Sequence, residues 1–518
     1  MQRMGADDLF YYWRVLVPCP ARRCRYAFCL SAGPEQVWLT EDGFGNRAPH
    51  SADGLFDFPW LHDSEVAAVL DWVKDAIFYQ VFPERFANGE PANDPPELTP
   101  WDAPPRPDSM YGGDLQGIIE RLPYLSDLGI NAVYLTPVFH APSNHKYDTI
   151  DYFTVDPHFG DCQTLRELVA LCHERGIKVV LDAVFNHMGW LSPQFQDVLA
   201  FGAGSRYAGW FHLSEFPLQI NPRPNYGTFA FVASMPKLNT QNPEVREFLL
   251  RVATHWILQV DIDGWRLDVA NEVDHAFWRE LRQRVRAIKP STYLLGEIMH
   301  QAEPWLHGDQ FDGVMNYPLT RALIAWLKGE ASANFFAHRL VQLQFAYSRP
   351  ALEGCLNLLD SHDTPRLLSQ LSGNRSLFCL GVAVLLTLPG APSIYYGDEV
   401  GMMGGGDPDC RRGMLWKPAQ QDTELHSWYK KLIALRHRHP ALRRGDLEVC
   451  TVSEHCVGWW RREENGEEIL VLVNSGPELV SLAGVLPAGA WRDLITEAIY
   501  QSKDNIGPFC SLILRRPN

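Results

Sequence analysis

The sequence predicts an α/β protein: a (β/α)8 TIM barrel with an inserted subdomain after its third strand, a partial N-terminal β domain and a C-terminal β-sandwich domain. Three observations lead there. Short apolar strands alternate with helix-period segments from Trp72 to the middle 400s, roughly eight times over. The aromatic-rich interval 186–239 is too long for a loop and reads as an insertion. Both chain ends carry short strand-like runs broken by Gly, Pro and Asn.

Composition sets the outer bounds. With 518 residues the chain exceeds one ordinary core. It is 46% hydrophobic and 12% aromatic, which suits a packed globular protein. The 17 Trp are more than packing needs, and flat indole faces serve as platforms for sugars. A formal charge of −16 without a long basic run argues against nucleic acid or an anionic membrane as partner. Eleven scattered Cys lack Cys-x-x-Cys spacing and read as reduced thiols, so a cytoplasmic protein is expected. The start shows no apolar signal core, and the longest apolar run, 381–390, is too short for a bilayer.

The elements follow in order. Residues 1–71 read as the partial β domain, with strands at 9–17 and 25–30. The first part of the barrel takes 72–187: a buried strand at 76–82, a helix at 115–128, strand 132–135, helix 165–175 and strand 179–182. The inserted subdomain takes 188–240. The second part of the barrel, 241–445, holds helix 245–258, the strand leading to Asp268, helix 277–288 and strand 293–297. Strands at 313–316, 355–359 and 392–396 and a helix at 424–437 complete it. Residues 446–518 return to short strands.

A barrel of this kind keeps its chemistry where strands end, at the C-terminal face. The third strand ends in Asp182-Ala-Val-Phe-Asn-His187, the fourth in Arg266-Leu-Asp268, the fifth in Glu297, and the seventh in Asp360-Ser-His-Asp363. Strand alternation puts Arg266 and Asp268 on one side and Leu267 on the other. A neighbouring cation is expected to lower the pKa of Asp268, as a nucleophile needs. That pair alone reads equally well as a structural ion pair. Three carboxylates and two imidazoles at one mouth tip the balance, because burying so much polarity costs several kcal/mol. Two carboxyl groups across a site suit glycoside hydrolysis. Asp268 would be the anion. Glu297, after an apolar run and near other carboxylates, would be raised and act as the acid. Asp363, His187 and His362 would hold ring hydroxyls.

These four strand ends, in this order, resemble the α-amylase family of glycoside hydrolases. Met235-Pro-Lys-Leu-Asn239, Phe82-Pro-Glu-Arg-Phe-Ala-Asn88 and Asp407-Pro-Asp-Cys-Arg411 resemble its neopullulanase, cyclomaltodextrinase and maltogenic amylase branch. The resemblance implies Asp268 as nucleophile, Glu297 as acid/base and Asp363 as transition-state stabiliser. It implies sugar contacts from Arg266, His187 and His362, with Tyr147 of His145-Lys-Tyr-Asp148 stacked beneath the ring. Asp407 and Arg411 would hold sugars on the non-reducing side, and Phe229 would line the leaving side. It also implies a calcium site from Asn88, Glu90, Asn93, Asp94, Gly112 and Asp114, all offering oxygen. Read without the resemblance, the same segment is an ordinary Asn/Gly/Pro turn. Glu90 stands where the branch has Asp, and Met299 where it has Trp.

The expected activity is retaining cleavage of α-1,4 links in cyclomaltodextrins and maltooligosaccharides, with pullulan and starch as poorer substrates. Two rivals stand: an α-1,6-active oligosaccharidase or transglycosylase of the same family, and a catalytically inactive sugar-binding relative. The N-terminal β domain is short beside the complete sandwich of the family. Its aromatic residues therefore either pack on its own barrel or join a second copy in a homodimer.

Overall fold

The computed structural model describes residues 1–7, 9–50, 54–62, 68–463 and 466–517. Eight parallel strands form the central sheet: β1 (Phe78–Val81), β2 (Ala132–Leu135), β3 (Lys178–Ala183), β4 (Gly264–Leu267), β5 (Tyr293–Gly296), β6 (Gly313–Val314), β7 (Leu356–Leu358) and β8 (Ala391–Tyr395). Their order is β6-β5-β4-β3-β2-β1-β8-β7, and a parallel bridge between Met315 and Leu356 closes the ring. The helices outside it are α1 (Leu115–Leu128), α2 (Cys162–Glu174), α3 (Pro243–Val260), α4 (His275–Ile288), α5 (Tyr317–Leu327), α6 (Ala333–Ala346), α7 (Arg375–Thr387) and α8 (Thr423–Arg438).

Alternation along each strand sorts the side chains into two cores. Phe78, Ala132, Tyr134, Val180, Tyr293, Leu295 and Leu356 fill the barrel's interior. Tyr79, Val133, Leu135, Val179, Leu181, Trp265, Leu267 and Leu294 face the helices. Leu267 therefore packs outward as expected, and Arg266 points inward beside its register partner Asp182.

Several strands end earlier than the apolar runs suggest. β5 stops at Gly296 and β4 at Leu267, so Glu297 and Asp268 lie just past the ladder. β6 has only two residues, because Asn316 already caps α5 through its side chain. Caps set the helices too: the Asp114 carboxylate accepts Gly117 N–H at the start of α1, and Gly129 ends it at φ 94°.

The inserted segment holds one α-helix, Pro193–Phe201, two single 3-10 turns, Gly202–Gly204 and Ala208–Trp210, and isolated bridges such as His187 to Lys237 that staple it to the mouth. The C-terminal domain is a six-stranded sheet faced by a two-stranded one. At the other end, the strand expected over 9–17 is shorter, Tyr11–Arg14, and pairs with a strand the pattern did not show, Gln2–Ala6. That strand has no apolar alternation, since only Met4 is buried. It docks on α6. A Cβ on Gly5 would sit 2.5 Å from Val341 Cγ2, and the Tyr12 and Phe345 rings lie 4.8 Å apart. Among the described residues no helix is long and apolar enough to cross a membrane.

Candidate active site

The C-terminal mouth opens into a cleft of about 500 Å³. His145, Tyr147, His187, Phe229, Asp268, Glu297, Asp363, Asp407 and Arg411 line it. Arg266 and His362 are fully buried and form the floor beneath rather than the lining.

Arg266 organises the floor. Nη1 lies 2.7 Å from Asp268 Oδ1 and 3.0 Å from both oxygens of Asp182. Nη2 is 2.6 Å from Glu297 Oε1, an ion pair by distance whose N–H is not aligned as a hydrogen bond. Asp268 and Glu297 thus sit on adjacent nitrogens of one guanidinium.

This arrangement corrects one expectation. Asp268 is not held low by Arg266. Burial pushes it well above the usual carboxylate range, Arg266 pulls it down, and Glu297 and Asp182 push it further up. Burial likewise raises Glu297 against Arg266, with Asp363 adding to the rise, and takes Asp182 to about 6. The physical reason is that one guanidinium serves three carboxyl groups in a dry site, so each resists carrying its charge.

A hydrogen-bond relay fixes Tyr147. Its hydroxyl donates to Asp182 Oδ2 at 2.9 Å and so accepts from His362 Nε2 at 2.6 Å. With Nε2 as donor, His362 Nδ1 accepts from Gln80 Nε2, also at 2.6 Å. The two rings lie within 8° of parallel, 5.5 Å apart. Tyr134 adds a donor to Asp182 at 2.6 Å.

His187 is set by similar logic. The Lys237 ammonium can only donate, so Asn186 Oδ1 faces it. Asn186 Nδ2 then donates to His187 Nδ1 at 3.2 Å, which leaves Nε2 carrying its hydrogen. That Nε2 is buried and has no hydrogen-bond partner among the described residues. Burial lowers the imidazole to about 3, so it is neutral. Phe229 stacks on it, ring centroids 5.3 Å apart. On the far side Arg411 reaches Asp363 Oδ1 at 3.2 Å and Asp407 Oδ1 at 3.1 Å.

Met235, Val269, Asn271, Glu272, Met299 and His300 also line the cleft. Apart from Met299, none was singled out as a cleft residue from the sequence. For all but Met235, a place one to four residues past Asp268 or Glu297 was the available signal, because residues just past barrel strands form the mouth.

The expected calcium ligands converge in part. Asn88 Oδ1 is buried without a hydrogen-bond partner among the described residues. Asn88 Nδ2 donates to Asp94 Oδ1 at 2.6 Å. At Gly112, φ +80°, a Cβ would fall 2.6 Å from Asp94 Oδ1, so only glycine leaves this space open. Asp114 is engaged by the N–H groups of Gly89, Glu90 and Gly117. Glu90 caps Ala92 N–H, and the Asn93 carbonyl accepts from His158. The orphaned amide oxygen and the Asp94 carboxylate fit a hard cation; among the described residues no three His, Cys, Asp or Glu cluster as a metal site.

A barrel with paired carboxyl groups around one guanidinium at its C-terminal mouth defines a glycoside-hydrolase type of site. Comparison with known proteins agrees. The α-amylase catalytic domain matches residues 80–417, and the α-amylase N-terminal Ig-like domain matches residues 1–62. The chain is 53% identical over 498 residues to the cyclomaltodextrinase of Geobacillus thermopakistaniensis (strain MAS1), covering 95% of this chain and 84% of that protein. It is 47% identical over 527 residues to neopullulanase 2 of Thermoactinomyces vulgaris, covering 99% and 89%. A solved cyclomaltodextrinase structure superposes with a TM-score of 0.92 at 46% identity, over 99% of this chain and 88% of that one. The chain belongs to the α-amylase family of glycoside hydrolases.

Proposed function

We propose that the enzyme cleaves α-1,4-glucosidic bonds of cyclomaltodextrins and maltooligosaccharides, and less readily of pullulan and starch, with retention of configuration. The observation that carries the stereochemistry is the guanidinium that the two carboxyl groups share. Asp268 and Glu297 flank one guanidinium, 2.7 Å from Nη1 and 2.6 Å from Nη2, and this shared cation supports the close carboxyl pair of a retaining enzyme.

In this reading Glu297 carries the cluster's proton when substrate enters. Asp268 attacks the anomeric carbon as the glycosidic bond breaks, and Glu297 passes its proton to the leaving oxygen. A glycosyl ester on Asp268 results. Glu297, now a carboxylate, takes a proton from water. The hydroxide so generated displaces Asp268 and releases the α-anomer. Tyr147 lies beneath the ring, held by the His362–Asp182 relay. His187 Nε2 and Asp363 bind hydroxyls, Asp407 and Arg411 hold sugars on the non-reducing side, and Phe229 borders the leaving side.

The names of the relatives support an α-glucan substrate, cyclic or linear. The inactive sugar-binding alternative has no support, since all three carboxyl groups are in place. An intracellular maltogenic amylase of Bacillus subtilis (strain 168), 46% identical over 454 residues, supports a cytoplasmic location. We also propose calcium at Asn88, Asp94 and Gly112, with Glu90, Asn93 and Asp114 around it, and association of the enzyme as a homodimer.

Early-time NMR of the products tests the mechanism: the α-anomer is expected first, and β product overturns the role of Asp268. Product analysis on cyclomaltodextrin, starch and pullulan side by side tests specificity. Cleavage confined to α-1,6 links, or transfer products alone, favours the oligosaccharidase or transglycosylase reading instead.

A further inference from the structure

At Val269, directly after Asp268, the backbone turns left-handed, with φ 45° and ψ 45°. β-branched side chains avoid that region. The turn sends three successive N–H groups to different places. Asp268 N donates to Ala183 O on β3 at 3.0 Å, and Ala270 N to Glu297 O at 3.1 Å. Between them Val269 N donates to the side-chain Oε2 of Glu297 at 3.0 Å. The residue following the nucleophile thus holds the acid. A strained conformation kept by a residue that resists it is how functional constraint shows in a backbone.

We propose that Val269 is a positioning residue for Glu297, acting through its backbone amide: the left-handed turn lays the N–H on Oε2 and fixes the plane of the acid's carboxyl against the nucleophile. The proposal rests on the reading of Glu297 as the acid/base. Glu297 is also faced by Arg266 from β4, Asp268 just past it, Asp182 from β3, Tyr134 from β2, Tyr317 from α5 and Asp363 beyond β7. Against that background of negative groups the amide favours the charged form. Without it the acid titrates later and its orientation loosens.

The test replaces the amide alone. Val269 is exchanged for its α-hydroxy acid analogue, which turns the N–H into an ester oxygen and keeps the side chain. Two substrates are compared: maltotriose, whose leaving alcohol needs a proton, and α-maltosyl fluoride, whose leaving group does not. The alkaline limb of the maltotriose pH profile moves up by about one unit. Its kcat/KM falls about tenfold, while the fluoride changes by less than about twofold. An unmoved limb, or an equal loss on both substrates, overturns the proposal. A second measurement needs no ester variant. In enzyme labelled with 15N-valine, the Val269 amide resonance follows the titration of Glu297 and shifts in Glu297→Gln. An amide that ignores both also overturns it. Glu297→Gln on the same two substrates separates the layers. If it spares the fluoride and loses maltotriose while the ester leaves their ratio unchanged, only the role of Val269 fails. If it does not discriminate, the acid assignment itself fails.

Discussion

Arg266 Nη2 lies 2.6 Å from Glu297 Oε1 without aiming an N–H at it. Nη1 of the same guanidinium makes aligned bonds to Asp182 and Asp268. Of the three carboxyl groups around this cation, Glu297 is therefore the one least committed to it. One cation among three acids in a dry pocket leaves the cluster short of positive charge, which favours holding a proton there. In the proposed mechanism Glu297 is the group that passes this proton to the leaving oxygen.

Asp268→Asn and Glu297→Gln each lower kcat by on the order of 10⁴-fold or more, because groups that act as a unit cannot substitute for one another. Both changes keep shape and volume, so circular dichroism and the melting curve stay near those of the wild type. A large residual rate in either variant would sink the assignment.

His187 gives a pH signature in stability. Its folded pKa is depressed to about 3, so the unfolded chain binds the proton first as pH falls. The stability it contributes is present above about pH 6.5 and is lost as pH drops toward 3. Between pH 7 and pH 4 the wild type should lose about 3 kcal/mol more than His187→Gln. Urea unfolding at the two pH values measures the difference. Equal losses in both proteins mean that the imidazole does not stay neutral in the folded state.

The strand ends that meet at the mouth were legible because chemistry-bearing residues follow short apolar runs in a repeating strand–helix pattern. The 115–128 helix and the 132–135 strand stand where periodicity put them. What was not legible is how one cation is shared. Sequence spacing places Arg266 two residues from Asp268, but the approach of Glu297 and Asp182 depends on how β3, β4 and β5 line up. The left-handed turn at Val269 was hidden for a different reason: valine is a residue from which no one infers positive φ. The strand Gln2–Ala6 escaped because its partner and α6, rather than its own pattern, bury it.

Calcium should stabilise the fold without touching the chemistry. A ligand that binds only the folded state raises the melting temperature by mass action. Excess chelator should lower the melting temperature, calcium should restore it, and Asp94→Ala should abolish the response. Asp94 sits on the loop before α1, outside the cleft lining, so kcat of the calcium-free enzyme well below its melting point should be little changed. An unchanged melting curve in chelator would remove the metal from the account.

The N-terminal hairpin explains the last expectation. Its inner face is satisfied: Met4 is buried, and Gln342 Nε2 donates to Asp7 Oδ2 at 2.9 Å. The outer face is not. Leu9 is 82% exposed, Leu16 78% and Val17 66%, with Phe10, Tyr11 and Trp13 beside them. An apolar patch of this kind on a chain of net charge −16 is suited to a partner that offers the same surface, as a two-fold dimer does. Light scattering over a range of concentrations should show a dimer mass that falls toward the monomer on dilution. Leu16→Glu places two like charges near the axis of such an interface and should shift the equilibrium to monomer by tenfold or more, roughly 1.4 kcal/mol. Because the hairpin's inner face is untouched, the melting curve of the monomeric variant should remain cooperative. A strictly monomeric wild type at every concentration would leave these residues without a partner of this kind.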